Sequence, residues 1–352
     1  MQRHVLPWAG WIPSSRVSGR PGERLFKLLG IALLAGLAAG SLPLRAQTVP
    51  ATVSDAAHQE LTKRIAAALA RTRNLKVVYQ DTLGEGPGTW DPNPRYPKGE
   101  VNCITWLQLL LAEAYGSTPD ERLAVLDRIR YFDGRVGFGF RKHFTDQWTE
   151  LDPMPLRRLD FKSCPSSAVQ SYRVELDPDL FQKNIKFQCP LYHKDRTAVQ
   201  LDLVPPHGLV QCGDSLAAGY YVIFPVASER YLQKYAGFSG PMAQVHAVLL
   251  EVPPPAPGAP PGSRDPGTFK VYHASISSGK VMETELASYL LHMWNLYRGY
   301  VVYELVPGWD WHASPAPNDE ARALAECESK LKGRVGKLYE NEVEAPAPGS
   351  HP

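Results

Sequence analysis

The chain of 352 residues has the composition of an ordinary globular protein, with 44% hydrophobic and 21% charged residues, and can bury a sizeable core. Its formal net charge of +2 is unevenly distributed, because residues 1–46 hold six Lys or Arg and one Glu. The rest of the chain is therefore mildly acidic. It contains no cluster of Lys and Arg interleaved with aromatic residues, which excludes a nucleic-acid-binding protein.

Residues 1–46 have the pattern of a cleavable signal peptide. Basic residues precede an apolar run, Leu28 to Leu42, which is shorter than the ~20 residues that cross a bilayer. Cleavage after the small residue Ala46 is predicted. We therefore expect an exported, periplasmic protein with no permanent membrane span; an uncleaved membrane anchor is the alternative.

The five cysteines are an odd number, and export to an oxidising compartment permits disulfides. If one thiol stays free for chemistry, the other four allow three pairings. This arithmetic fits a free Cys103, with Cys164, Cys189, Cys212 and Cys327 left to pair, and a Cys164–Cys189 bridge is the predicted one. The alternative is that all five are reduced. No C-x2-C or H-x3-H spacing indicates a metal site, and no cofactor is expected.

The first half of the chain is predicted to be mainly helical. An apolar face indicates a helix over residues 55–73, and a Gly- and Pro-rich loop covers residues 84–99. A helix that is apolar on nearly all sides, hence central, begins at Cys103. Thr118 caps the next helix, which ends near Arg130. The turn-rich aromatic stretch 131–148 is interpreted as an ordered surface loop.

The second half is predicted to supply the sheet. An insertion over about 160–212 precedes strands at 219–224, 243–252, 268–275 and 299–305, which are β-branched and aromatic. A proline-rich excursion separates the second and third strands. Helices are predicted over 285–296 and 318–332. The expected architecture is α+β, with one catalytic domain over 47–340 and a disordered tail over 341–352.

Three residues are the candidates for catalysis. Cys103 stands at a helix N-terminus, where backbone N–H groups and the helix dipole favour a thiolate, although such a cysteine is also common as a packed small hydrophobe. His246 and His273 lie on strands that, if antiparallel neighbours, place both imidazoles on one face. A second histidine would fix the tautomer of the first, as in cysteine and serine triads. Taken singly, each is also consistent with a satisfied core histidine.

These residues lie in segments that resemble the DUF1460 family, a branch of the NlpC/P60 cysteine hydrolases. The resemblance covers roughly residues 100 to 305 and is carried by Asn102-Cys103-Ile104-Thr105-Trp106, residues 129–134, Arg141-Lys142-His143-Phe144 with Asp146 and Trp148, Val245-His246-Ala247-Val248, and Tyr272-His273-Ala274-Ser275. It implies a papain-like core with the nucleophile at the N-terminus of a central helix packed on an antiparallel sheet. It also implies an amidase that cuts between muramic acid and L-alanine in peptidoglycan or muropeptides.

The resemblance assigns Cys103 as nucleophile, His246 as base and His273 as the residue that orients the base. His143 and Trp148 are candidate substrate contacts or, equally, a packed loop clasp. The family usually has Asp at the positions of Asn102 and Tyr220 in this chain, which leaves the cleaved bond and the stem-peptide specificity open. The alternatives are a D-glutamyl-diaminopimelate endopeptidase of the same fold and an inactive peptidoglycan-binding module. A transglutaminase-like core is the least favoured.

Overall fold

The computed structural model describes most of the chain after the predicted leader. The described residues are 55–78, 81–143, 145, 147–152, 155–161, 169–176, 178–179, 182, 187–193, 197–228, 244–258, 265–293, 295–313 and 316–343. The predicted signal peptide lies outside them. Of the predicted disordered tail 341–352, residues 341–343 belong to the last helix, so the tail prediction is wrong there, and residues 344–352 lie outside the described residues. Within them, no helix is long and apolar enough to span a membrane.

An eight-stranded, mostly antiparallel sheet forms the centre of the fold. Its strands are β1 (Lys76–Val77), β2 (Glu100–Val101), β3 (Leu156–Arg158), β6 (Gly219–Ala227), β7 (Val248–Val252), β8 (Lys270–Ser275), β9 (Lys280–Glu285) and β10 (Tyr297–Leu305), in the order β2-β1-β9-β8-β7-β6-β10-β3. Only the β1–β2 pair at one edge is parallel. The prediction that the second and third strands are antiparallel neighbours across the proline-rich excursion is confirmed by the β7–β8 register.

Three helices cover one face of the sheet. They are α1 (Asp55–Thr72), α2 (Cys103–Tyr115) and α3 (Pro119–Arg130), close to their predicted bounds. Helix α2 is apolar on nearly all sides, and its residues from Thr105 to Ala112 are buried. The helix is therefore central, as predicted. Side chains of α1 and α2 share a core with Val222 and Phe224 of β6, which alternate toward this face.

Two shorter helices cover the opposite face. They are α4 (Pro206–Cys212) and α5 (Leu286–Met293), and they pack on the alternate side chains of the same strands, such as Ile223 and Val271. A separate two-stranded hairpin, β4 (Gln170–Leu176) and β5 (Thr197–Leu203), lies in the predicted insertion. The sheet is thus covered on both faces, so its central strands are buried.

The segment predicted as a surface loop, residues 131–148, is largely buried. Tyr131, Phe132, Phe138 and Phe140 form a third apolar cluster with the last helix, α6 (Asp319–Val343). The prediction of a surface loop is wrong because these aromatic side chains are covered by α6. That helix also continues 11 residues beyond the predicted end at 332.

The disulfide pairing differs from the predicted one. Cys189 is bonded to Cys327 of α6, with a sequence separation of 138 residues, so the predicted Cys164–Cys189 bridge is wrong. Cys212 is also disulfide-bonded, whereas Cys103 is free, as predicted. The bridge joins the insertion to the C-terminal helix instead of closing the insertion on itself. The alternative of five reduced cysteines is excluded as well.

Candidate active site

The N-terminus of α2 places Cys103 in the first helical position. Asn102 is the N-cap: its side-chain oxygen accepts a hydrogen bond from the backbone N–H of Thr105 at 2.9 Å, and the Thr105 hydroxyl accepts one from the Asn102 backbone N–H at 2.8 Å. This reciprocal capping box satisfies two of the free donors at the helix start. Asn102 therefore does the capping work that an Asp would do there, without a negative charge beside the thiol.

Burial dominates the electrostatics of Cys103. It raises the pKa of the thiol to about 11, against the lowering effect of the backbone N–H groups of Ala247, Ile104 and Cys103 itself. The lowering effect expected of the helix N-terminus is present in these N–H groups, but desolvation of the charged form outweighs it. The donor from Ala247 places the thiol beside the residue that follows His246.

His246 lies just before β7, not within the predicted strand 243–252. Gln244 pairs with Val226 and Val248 with Ile223, so one extra residue is accommodated between these two bridges. Such a bulge interrupts the ladder and re-aims side chains. Pro225 lies opposite this segment and has no N–H to donate, which is the physical reason that the ladder does not continue.

The two histidines are in direct contact. Nε2 of His246 lies 3.3 Å from Nδ1 of His273 on β8, and the ring planes are nearly perpendicular. This contact involves Nε2 of His246 and not its Nδ1. If His246 donates from Nε2 and His273 accepts at Nδ1, then Nδ1 of His246 carries no proton and is able to accept one.

Burial keeps both imidazoles neutral. It lowers the pKa of His246 to about 3, with a further contribution from His273, and lowers the pKa of His273 to about 4, with a contribution from His292. The same effect of burial on the thiol and on the two imidazoles favours the uncharged form of all three groups. Such an arrangement is suited to general base catalysis, in which the thiol loses its proton as it attacks.

The segment that carries His246 is anchored by contacts that the sequence pattern did not indicate. The Gln244 side chain donates to the Tyr303 hydroxyl at 3.3 Å, and the Thr145 hydroxyl donates to the Gln244 carbonyl at 3.3 Å. Both contacts join residues more than 50 positions apart, so no local spacing reveals them. They fix the bulged segment from two sides of the core.

A buried ionic cluster holds the Gly- and Pro-rich loop beside the first turn of α2. The guanidinium of Arg141 pairs with Asp81, Glu85 and Asp91 at 3.0, 2.7 and 2.8 Å. The hydroxyls of Thr82 and Thr105 lie 3.2 Å apart and connect this loop to α2. In the sequence Arg141 is only part of a motif, whereas in the structure its ion pairs order the loop.

The two predicted substrate contacts differ in burial: Trp148 is inside the protein, whereas His143 is only half-buried. Trp148 is 1% exposed and packs edge-on against Phe224, with ring centroids 5.3 Å apart. His143 shares a hydrogen bond of 2.9 Å with the Phe138 carbonyl, and burial lowers its pKa to about 3. In this structure both serve packing, and contact with substrate stays a prediction for each.

Tyr220, the second departure from the family pattern, is remote from the histidines. It pairs with Glu251 near the start of β6, whereas Val226 near the other end pairs with Gln244. The five residue steps from Tyr220 to Pro225 along the strand correspond to ~17 Å. Among the described residues, no group of three or more His, Cys, Asp or Glu is arranged to hold a metal ion.

A family model described as AmiA-like, N-acetylmuramoyl-L-alanine amidase-like, matches residues 76–184. The predicted family resemblance is confirmed. The matched segment includes Cys103 and ends before His246 and His273. No curated protein sequence matches the chain.

A comparison with solved structures finds similarities at low sequence identity. A DUF1460 protein from Legionella pneumophila has a TM-score of 0.55 and 17% identity, over 70% of this chain and 89% of its own. An N-acetylmuramoyl-L-alanine amidase from Bacteroides uniformis matches with a TM-score of 0.46 and 17% identity, over 70% of this chain and 99% of its own. The first similarity establishes a shared mixed α/β fold with a mostly antiparallel sheet.

Proposed function

We propose that the chain is an exported cysteine amidase with a papain-like NlpC/P60 core, which hydrolyses the bond between muramic acid and L-alanine in peptidoglycan or muropeptides. The match to the amidase-like family model supports the reaction class. The observation that carries the mechanism is the 3.3 Å contact between His246 and His273, with the backbone N–H of Ala247 directed at the Cys103 sulfur.

The chemistry follows from these positions. His246 accepts the thiol proton at Nδ1 while the Cys103 sulfur attacks the lactyl carbonyl, and a tetrahedral intermediate forms. The imidazolium then protonates the departing nitrogen of L-alanine, which leaves a thioester between Cys103 and the lactyl group. A water molecule, deprotonated by His246, hydrolyses the thioester and returns the thiol. His273 accepts a hydrogen bond from the Nε2–H of His246 and stabilises the imidazolium form of His246.

The bond between Cys189 and Cys327 supports export. Disulfides persist in oxidising compartments and are rare where thiols are kept reduced. A periplasmic location agrees with this bond and with a peptidoglycan substrate.

Incubation of the mature protein with a muropeptide mixture, followed by mass spectrometry, tests the proposal. An amidase releases stem peptides that begin with L-alanine and leaves sugars bearing a lactyl carboxylate. Release of fragments cut after D-glutamate indicates the endopeptidase alternative, and no change in mass indicates the inactive module. The Cys103→Ala protein is the control, and turnover by that variant would contradict the cysteine mechanism.

A further inference from the structure

Helix α5 places an aromatic side chain against the orienting histidine. Tyr289 is 3% exposed, and its ring lies edge-on to the His273 ring, with centroids 5.2 Å apart and planes at 65°. Leu286 and Leu290 lie on the same buried face of α5 and fix the helix against the sheet. The contact is therefore part of a packed core, in which a ring has few alternative positions.

We propose that Tyr289 is a positioning residue for the pair of histidines, His246 and His273. The Tyr289 ring holds the His273 imidazole in the orientation that presents its Nδ1 to Nε2 of His246. This inference rests on the proposed triad. The torsion of a histidine side chain about its Cβ–Cγ bond has a broad preference, so the neighbours of the imidazole determine where Nδ1 points. His246 contacts one edge of His273 and Tyr289 contacts it from the helix side, so together they restrict its rotation.

The electrostatic surroundings suit this role. Burial raises the pKa of Tyr289 well above its ordinary value, and Tyr297, Tyr300 and Cys103 raise it further. The phenol is therefore uncharged wherever the enzyme works, and it adds no charge that would perturb the neighbouring imidazoles. Tyr289 acts through its ring, so removal of the hydroxyl alone should change little.

Three variants separate positioning from folding. Tyr289→Phe keeps the ring and is expected to retain kcat within about two-fold, whereas Tyr289→Leu is expected to lower kcat on muropeptides at least ten-fold with little change in KM. Leu290→Ala is the matched control, because Leu290 is the next residue on α5 and is 4% exposed. It should lower the melting temperature without a comparable loss of kcat.

Two readouts decide the inference. In the His273→Ala background, Tyr289→Leu should have no further effect on kcat, and a full additional loss would overturn the role through His273. Long-range ¹H–¹⁵N spectra of the histidine rings need no substrate: one tautomer of His273 in the wild type and a mixture in Tyr289→Leu is expected. An unchanged tautomer in a folded Tyr289→Leu protein overturns the inference even if the amidase proposal holds. Conversely, wild-type protein that turns over no muropeptide refutes the proposed function and leaves the tautomer test valid.

Discussion

Burial raises the pKa of the Cys103 thiol to about 11 and lowers that of the His246 imidazole to about 3, which favours the uncharged form of both groups at neutral pH. Alkylation by iodoacetamide requires the thiolate. We therefore expect its rate at Cys103 to rise about ten-fold per pH unit from pH 7 to pH 10.

Alkylation followed by peptide mass spectrometry over that pH range measures this dependence, since Cys103 is the free cysteine among the described residues. A rate that is already maximal and constant at pH 6 to 7 would contradict it. That result would indicate a preformed thiolate–imidazolium pair, in which the charges stabilise each other against burial.

The proposed role of His273 is to orient the His246 imidazole and not to transfer a proton to the substrate. Its replacements should therefore differ in how much they lower kcat. The carbonyl oxygen of Asn still accepts the Nε2 proton of His246, whereas Ala offers no acceptor. We expect His273→Asn to retain much more kcat than His273→Ala, and His246→Ala to lower kcat by roughly 10²–10⁴-fold, the range for loss of general acid–base catalysis.

Steady-state rates on muropeptides, with circular dichroism of each variant, test the order. Circular dichroism is needed because His273 is 7% exposed, and a loss of structure would mimic a loss of chemistry. A folded His246→Ala protein with wild-type rates would remove His246 from the mechanism.

At the scale of elements, α6 docks on the backbone of the segment 131–148. Glu328 accepts a hydrogen bond of 2.5 Å from the backbone N–H of Gly139, and a Cβ at Gly137 would collide with the same carboxylate. The two glycines thus permit a close approach that a side chain would block. The neighbouring disulfide between Cys189 and Cys327 holds α6 in this position.

The carboxyl group of Glu328 makes the docking of α6 dependent on pH. Burial raises its pKa from 4.5 to about 7, Gly139 opposes this, and Glu85 adds to it. The folded state binds this proton more tightly than the unfolded state, so the stabilisation is complete below about pH 4.5 and is lost as pH rises through about 7. Its magnitude is about 1–3 kcal/mol.

Glu328→Gln should make the free energy of unfolding less dependent on pH between about 4.5 and 7. The amide oxygen still accepts the hydrogen bond from the Gly139 N–H, and the side chain no longer titrates. Urea unfolding at pH 5, 6, 7 and 8 gives the comparison. Glu326→Gln is the matched control on the same helix, since Glu326 is exposed and paired with Lys330. An unchanged slope in Glu328→Gln would assign the pH dependence to other groups.

The helices and strands that depend on a local pattern of residues were predictable from the sequence. The apolar run after Cys103 and the capping sequence at Thr118 gave helices at the right bounds, and alternation with β-branched residues gave β6, β7, β8 and β10. Strand β9 was not predicted as an element, because Lys280, Glu283 and Glu285 interrupt the apolar pattern that identifies a buried strand.

What the sequence did not reveal depends on contacts between distant positions. The bulge that carries His246 arises from Pro225 on another strand, and the pairing of Cys189 with Cys327 joins segments 138 residues apart. The raised pKa of the Cys103 thiol follows from desolvation in the folded protein. Helix position alone predicts a shift in the opposite direction, because it does not include desolvation.

At the scale of the whole molecule, the disulfide and the predicted leader make a joint prediction. A bridge between Cys189 and Cys327 closes a loop of 138 residues, which corresponds to about 5 kcal/mol by the chain-entropy estimate. Protein exported in its source cell should begin at Gln47 or within a few residues of it and carry this bond. The same chain made in a reducing cytoplasm without residues 1–46 should lack the bond.

N-terminal sequencing and non-reducing peptide mapping of both preparations measure the two properties together. The reduced protein should unfold at a markedly lower urea concentration. Cys327→Ser made by export should unfold between the reduced protein and the exported wild type, since it loses this bond and keeps the one made by Cys212. Equal stability of the three proteins would show that the bond contributes little. An intact leader in the membrane fraction would contradict cleavage and place the enzyme at the membrane surface, where its access to peptidoglycan is limited by the length of chain between the anchor and α1.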